Sequence, residues 1–353
     1  MRSRLDRLFG DAEYDALFIM NTSERDSNFS YLTGFTSGLF EESMLIVERD
    51  GIRLLTSKLE EEAAREQADR LIDVRVVSGK DSLRDELRGL NGKVVGIDES
   101  FIPVSYSKFI SKYARPKRLV DASKSFGRAR SIKSRYEIER IRKAVRITKS
   151  ALVRVEGYLE EGVTERMLAA RFEYIQAEIG ARPSFDSIVA FGKSAALPHY
   201  APGNRKLRSN EVVLFDVGGI VDNYCSDISR TFIFKPDKSS SRCKRLLDMI
   251  DVVREAQMRG LGEMYDGNDA REPHRVASDY IDEYKGGIYK GRFIHALGHS
   301  IGIDVHDGDV IPSNMVLKTG MVFSDEPGVY INGLGGVRIE DDVLIGKGSS
   351  RFF

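Results

Sequence analysis

The rhythm of apolar and polar positions changes near residue 130. Before it, short apolar runs at 16–20, 43–47, 52–55 and 94–97 predict strands, Arg49-Asp50-Gly51 predicts a turn, and 58–71 predicts a helix. That alternation describes an α/β domain. It holds no histidine and no glycine-rich phosphate loop, so little chemistry is expected there. The stretch 123–134, rich in Ser, Lys, Arg and Gly, predicts a linker, and we place the boundary between domains 1–127 and 128–353 within it. Beyond it, Ser134 and Glu137 form a capping-box pattern that opens a helix carrying Ile138, Ile141, Val145 and Leu152 on one side. Thr164 caps a second helix ending near Gly180, and two more are expected at 242–261 and 273–285. Between them, 211–234 reads as two strands about a turn at Val221-Asp222-Asn223, and 322–345 as two more about Asn332-Gly-Leu-Gly-Gly336. Helices around an antiparallel sheet make the larger domain α+β.

Charge and composition narrow the partners. Lys+Arg and Asp+Glu both number 54, so nothing draws the chain toward nucleic acid or an anionic membrane. The first ten residues lack the apolar run of a signal peptide, and no stretch approaches the roughly 18 apolar residues of a membrane span. A cytoplasmic protein is expected. Its two cysteines, Cys225 and Cys243, form no zinc-type pair.

The chemistry lies in the second domain, where acids sit inside apolar, strand-like segments that disfavour unpaired charge. Asp216 and Asp227 are eleven residues apart, and an odd separation across a hairpin lets both face one side, with the turn centred between Val221 and Asp222. Glu326 and Glu340, fourteen apart, have their midpoint at Gly333 and can again lie opposite each other. Four carboxylates would then converge. At about 4 Å each pair repels by roughly 4 kcal/mol even at an effective dielectric near 20, so cations or protons must compensate. Two divalent ions balance four carboxylates, and neutral His299 adds a ligand without disturbing that balance. An oxygen-rich set favours manganese or cobalt ahead of zinc. Taken singly, each residue has a plainer reading: a strand Asp is usually a surface or turn residue, Glu326-Pro-Gly328 could be an ordinary turn, and His274, just inside a helix start, is expected to be structural.

Five blocks in order carry a resemblance: Phe215-Asp-Val-Gly-Gly219, Tyr224-Cys-Ser-Asp-Ile-Ser-Arg-Thr-Phe232, the segment from His295 to His306, Asp325-Glu-Pro-Gly-Val-Tyr330 and Gly336-Val-Arg-Ile-Glu-Asp341. They resemble the pita-bread metallopeptidases, which include proline dipeptidase, aminopeptidase P and methionine aminopeptidase, and the metal-free creatinase. Asn28-Phe-Ser-Tyr-Leu-Thr-Gly-Phe35 resembles the N-terminal creatinase/prolidase-like domain of the proline-specific members. The resemblance implies a curved antiparallel sheet covered by helices, a homodimer, and hydrolysis of the bond between an N-terminal residue and proline in a peptide. By position, Asp216 and Asp227 would hold one metal and His299 the other, with Glu326 and Glu340 contributing to the pair and Asp227 and Glu340 bridging. Glu326 would serve as the proton carrier, His199 would contact substrate and shuttle protons, and His306 would stand at the scissile carbonyl. His295, Tyr330 and Arg338 would support the pocket. The alternatives are a non-catalytic binding protein on the same fold and a creatinase-like amidinohydrolase.

Several positions depart from the pattern. Ser300 and Asp325 stand where relatives commonly have a glycine and an apolar residue, and Asp325 should point away from the metals. Val310 stands where some proline dipeptidases have an arginine for the dipeptide carboxylate, and Asp304-Val-His-Asp307 resembles the aminopeptidase P form. Aminopeptidase therefore ranks slightly ahead of dipeptidase.

Overall fold

The computed structural model describes residues 1–10, 12–23 and 25–353, in two compact units, Met1–Arg130 and Ser131–Phe353. In the first, a six-stranded mixed sheet runs in the order Ile72–Val76, Gly51–Thr56, Met44–Glu48, Ala16–Met20, Val94–Ile97, Arg118–Asp121. Ala16, Phe18, Met20 and Ile46 pack from the sheet onto Leu87 and Ile110 of the covering helices.

The units divide within the stretch 123–134 expected to link them. That stretch is largely the helix Ser123–Ser131, because Phe126 and Ala129, three residues apart, bury one narrow stripe despite the polar composition. Tyr31 fastens it further by donating its hydroxyl to the Ala129 carbonyl at 2.9 Å. The helix expected at 58–71 is confined to Glu61–Gln67. Ala68 turns extended, and the Asp69 side chain accepts the Leu71 amide at 3.0 Å, a local turn that competes with another helical turn.

The second unit begins as its sequence pattern predicts. Ser134 caps the helix Arg135–Val155, and the Glu137 carboxylate accepts the Ser134 amide at 2.9 Å to complete the capping box. Thr164 caps Glu165–Glu178 by accepting the Met167 amide. The helices Ser241–Glu263 and Glu272–Glu283 follow. All strand pairings described in this unit are antiparallel. The strand Glu211–Val217 shows how the layers meet. Val213, Phe215 and Val217 enter one core with the helices Arg135–Val155 and Glu165–Glu178, whereas Val212 and Leu214 enter another with Ser241–Glu263 and Glu272–Glu283. The sheet is thus apolar on both faces, with helices on each, and Asp216 shares the parity of Val212 and Leu214.

Registers decide where the acids go. In the first hairpin, Asp216 lies opposite Ser229, and Val221 opposite Tyr224. The turn is centred between Asp222 and Asn223, both with positive φ (50° and 70°), one residue later than expected. Asp227 is therefore a diagonal rather than a direct neighbour of Asp216. Because Asp227 and Ser229 are two residues apart, the shared face survives the shift. In the second hairpin, Asp325 pairs with Asp341 and Gly328 with Arg338, so Glu326 falls opposite Glu340 about a loop at Gly333.

Ser134→Ala removes the cap of one of the two helices that cover one face of this sheet. Urea unfolding of the full chain is expected to show a loss of about 1 kcal/mol in the transition of the second unit; an unchanged midpoint would show that the cap is dispensable.

Candidate metal centre

Asp227, His299 and Glu340 each offer a ligand atom, and these atoms lie within 4.8 Å of one another. His299 Nε2 stands 3.5 Å from Asp227 Oδ2 and 3.5 Å from Glu326 Oε1. Asp216 joins through Arg338, whose Nη2 donates to Asp216 Oδ2. All five expected ligands thus line one cavity of about 480 Å³ with His199, His295 and His306.

The backbone brings His299 here by close approach. The strand Gly298–His299 passes so near the next strand that a Cβ on Gly298 would lie 2.0 Å from the Ser324 carbonyl oxygen. Ser324 Oγ then accepts the His299 amide at 3.0 Å and donates toward Glu326 Oε1 at 3.3 Å. One serine therefore orients two of the expected ligands. His199 arrives on the turn after Gly192–Ala196, which lies against the second hairpin: a Cβ on Gly336 would meet the Ala195 carbonyl oxygen at 1.8 Å. Its neighbour Tyr200 donates to the buried Glu165 carboxylate at 2.7 Å, which also accepts the Phe191 and Gly203 amides.

Tyr330 and Arg338 tie the expected ligands together. The His295 Nδ1–H faces the Ala296 carbonyl at 2.8 Å, which leaves Nε2 to accept from the Tyr330 hydroxyl at 2.9 Å. The Tyr330 oxygen accepts from Arg338 Nη1 at 2.9 Å, and Arg338 Nε donates to Ser229 Oγ at 2.9 Å. Ser229 in turn donates to Glu340 Oε2 at 2.7 Å. Asp216 and Glu340 are held by one continuous network. Sequence reading missed Ser229, although it sits two residues beyond Asp227 on the same strand face, and Ser324, two before Glu326. It missed Glu165 and the cavity-wall residues Phe185 and Asp186 with no comparable signal. His274 is not a cavity residue; its ring lies against Phe293, 5.2 Å between centroids.

The electrostatics call for a cation. Burial, reinforced by Glu340, drives the Asp227 and Glu326 carboxyls well above the ordinary range, and burial with Asp216 lifts Glu340 to about 8. Asp227 Oδ1 and Glu340 Oε1 are buried with no hydrogen-bond partner. Such orphaned oxygens, on two residues whose ligand atoms gather with that of His299, are what divalent ions would satisfy. Burial and the nearby His306 lower His299 to about 4, so its ring is neutral and free to ligate near neutral pH. The donor set fits divalent metal. Asp325 points the other way, its carboxyl against Gly260 of the helix Ser241–Glu263.

Comparison with known proteins identifies the family of the chain. Residues 139–347 match the model of metallopeptidase family M24, and residues 1–132 match the creatinase/prolidase N-terminal domain. The chain is 34% identical to the Xaa-Pro dipeptidase of Pyrococcus furiosus, over 99% of this chain and 97% of that one. Among solved structures, an X-Pro aminopeptidase from Thermotoga maritima superimposes with a TM-score of 0.89 at 30% identity, covering 99% of this chain and 97% of that one. The prolidase from Pyrococcus furiosus gives 0.84 at 32% identity, covering 96% and 95%.

Without metal, the unfolded chain releases the Glu340 proton near the ordinary carboxyl range while the folded chain keeps it to about 8. The Glu340 contribution to the stability of the metal-free protein should therefore fall as pH rises between those values, most clearly above the ordinary histidine pKa of 6.5, where the depressed His299 no longer opposes it. Manganese should raise the melting temperature and flatten that slope, and Asp227→Asn should abolish the manganese response. Calorimetric melts from pH 5 to 8 with and without manganese test this; identical profiles would contradict it.

Proposed function

Because the chain belongs to metallopeptidase family M24, we propose that it is a metal-dependent exopeptidase that hydrolyses the peptide bond between an N-terminal residue and proline. The observation that carries the reading is the pair of orphaned oxygens, Asp227 Oδ1 and Glu340 Oε1, beside neutral His299 at the base of an open cavity. Asp216, Asp227, His299, Glu326 and Glu340 would hold two divalent ions, manganese or cobalt ahead of zinc. When bound, such ions acidify water and polarise a carbonyl.

The residues around them supply the rest. Glu326, steadied by Ser324, takes the proton of the attacking water and carries it toward the prolyl nitrogen, which must be protonated to leave. His306, its ring 4.0 Å from that of His299, donates to the developing oxyanion. His199, exposed on the cavity wall, contacts the substrate and provides a second proton route. His295, Tyr330 and Arg338 keep Asp216 and Glu340 in place.

Relatives carry both the aminopeptidase and the dipeptidase name, and the cavity wall favours the first. Among the described residues that line it, Arg338 is the one Lys or Arg, and it is committed to Asp216, Tyr330 and Ser229. Val310 is exposed at this wall. No cation there is free to pair with the carboxylate of a dipeptide, so peptides extending past proline are the better substrates. The free cysteines Cys225 and Cys243 suit a reducing cytoplasm, where the chain acts as a homodimer.

Xaa-Pro-Yaa-Zaa peptides should be cleaved with higher kcat/KM than Xaa-Pro by the manganese-loaded protein, and cleavage of the dipeptide alone would reverse the preference. Glu326→Ala should abolish turnover while circular dichroism stays native; wild-type turnover in that variant would remove Glu326 from its role.

A further inference from the structure

The loop that follows His299 runs to His306 and then to Asp309, and a lysine from a distant part of the chain reaches into it. Lys133 Nζ lies 3.2 Å from Asp307 Oδ2, with side-chain exposures of 1% and 2%, and donates to Ser300 Oγ at 3.2 Å. Ser300 directly follows His299, and Asp307 directly follows His306. The loop closes on the same residues: the Asp307 amide donates to the Ser300 carbonyl and the Ser300 amide to the Asp309 carbonyl, each at 2.8 Å. Gly302 leaves room for the carboxylate, since a Cβ there would lie 2.1 Å from Asp307 Oδ2. Lys133 is itself anchored, its amide donating to the Gly320 carbonyl at 2.8 Å.

We propose that Lys133 is a positioning residue that clamps both ends of this loop, setting His299 through Ser300 and His306 through Asp307. A buried ion pair is a costly way to add stability, because well-packed apolar residues do as well or better. What it fixes well is one arrangement, since separating the two charges breaks an ion pair inside the interior. The arrangement fixed here keeps the His299 and His306 rings 4.0 Å apart at 33°, one among the metal ligands and the other on the cavity wall. Ser300 extends the clamp to the ligand side, which a glycine at that position could not do. The role of His306 in this clamp rests on the peptidase reading; the effect on metal affinity does not.

The test compares wild type with Ser300→Ala and with the charge-free pair Lys133→Met/Asp307→Asn, measuring manganese affinity of the metal-free protein by calorimetry, kcat on an Xaa-Pro-Yaa-Zaa peptide at saturating manganese, and melting temperature. Ser300→Ala is expected to weaken manganese binding, and the double variant to lose roughly tenfold to a hundredfold in kcat and in manganese affinity while melting near wild type. Wild-type kcat and affinity in the folded double variant would overturn the clamp, as would losses that track only the unfolded fraction. Should the double variant not fold, unchanged manganese affinity in Ser300→Ala overturns it alone. If wild type cleaves no Xaa-Pro peptide, the peptidase reading fails while the affinity measurements still decide the clamp.

Discussion

Mutual repulsion among buried carboxylates is the constraint around which the second unit is organised. Asp216, Asp227, Glu326 and Glu340 face one cavity with Arg338 as the nearest fixed positive charge, and burial raises the proton affinity of three of them. Such a group persists only if something outside the carboxylates compensates. The fold supplies part of that compensation as hydrogen bonds from Ser229, Ser324 and Arg338, and leaves two oxygens open for ions. The sheet makes this affordable: with helical cores on both faces, the strands bearing the acids are held by apolar packing well away from the charges.

The proteolytic machinery follows from the same geometry. Ligand spacing comes from strand period and register, whereas the groups that would meet the substrate, His199 and His306, stand on turns and loops. In this pita-bread fold, strands position the five acidic and histidine groups proposed as ligands, and turns and loops shape the cavity in front. The smaller unit, matched to the creatinase/prolidase N-terminal domain, contributes no ligand to the five.

What could be read from the sequence was what depends on short range. The Ser134 and Glu137 box acts over three residues, and the Glu326 and Glu340 register follows from one loop midpoint, so both were legible. The Asp216 and Asp227 pairing was legible only in its face, because the choice of turn centre rests on which residues accept positive φ, and Asp222-Asn223 took it from Val221-Asp222. The helix Ser123–Ser131 was hidden by its polar composition, since two buried side chains sufficed. Lys133 and Ser300 are 167 residues apart, and Glu165 and Tyr200 are on separate elements; no local pattern marks such partners.

The turn at Asp222 and Asn223 bears one more implication. Loop tips ordinarily absorb gained or lost residues across evolution with little harm. Here an extra residue that slid one strand past the other would turn Asp227, with the rest of its strand, to the opposite side of the sheet from Asp216. The length of this half-buried tip thereby bears on which side of the sheet carries Asp227.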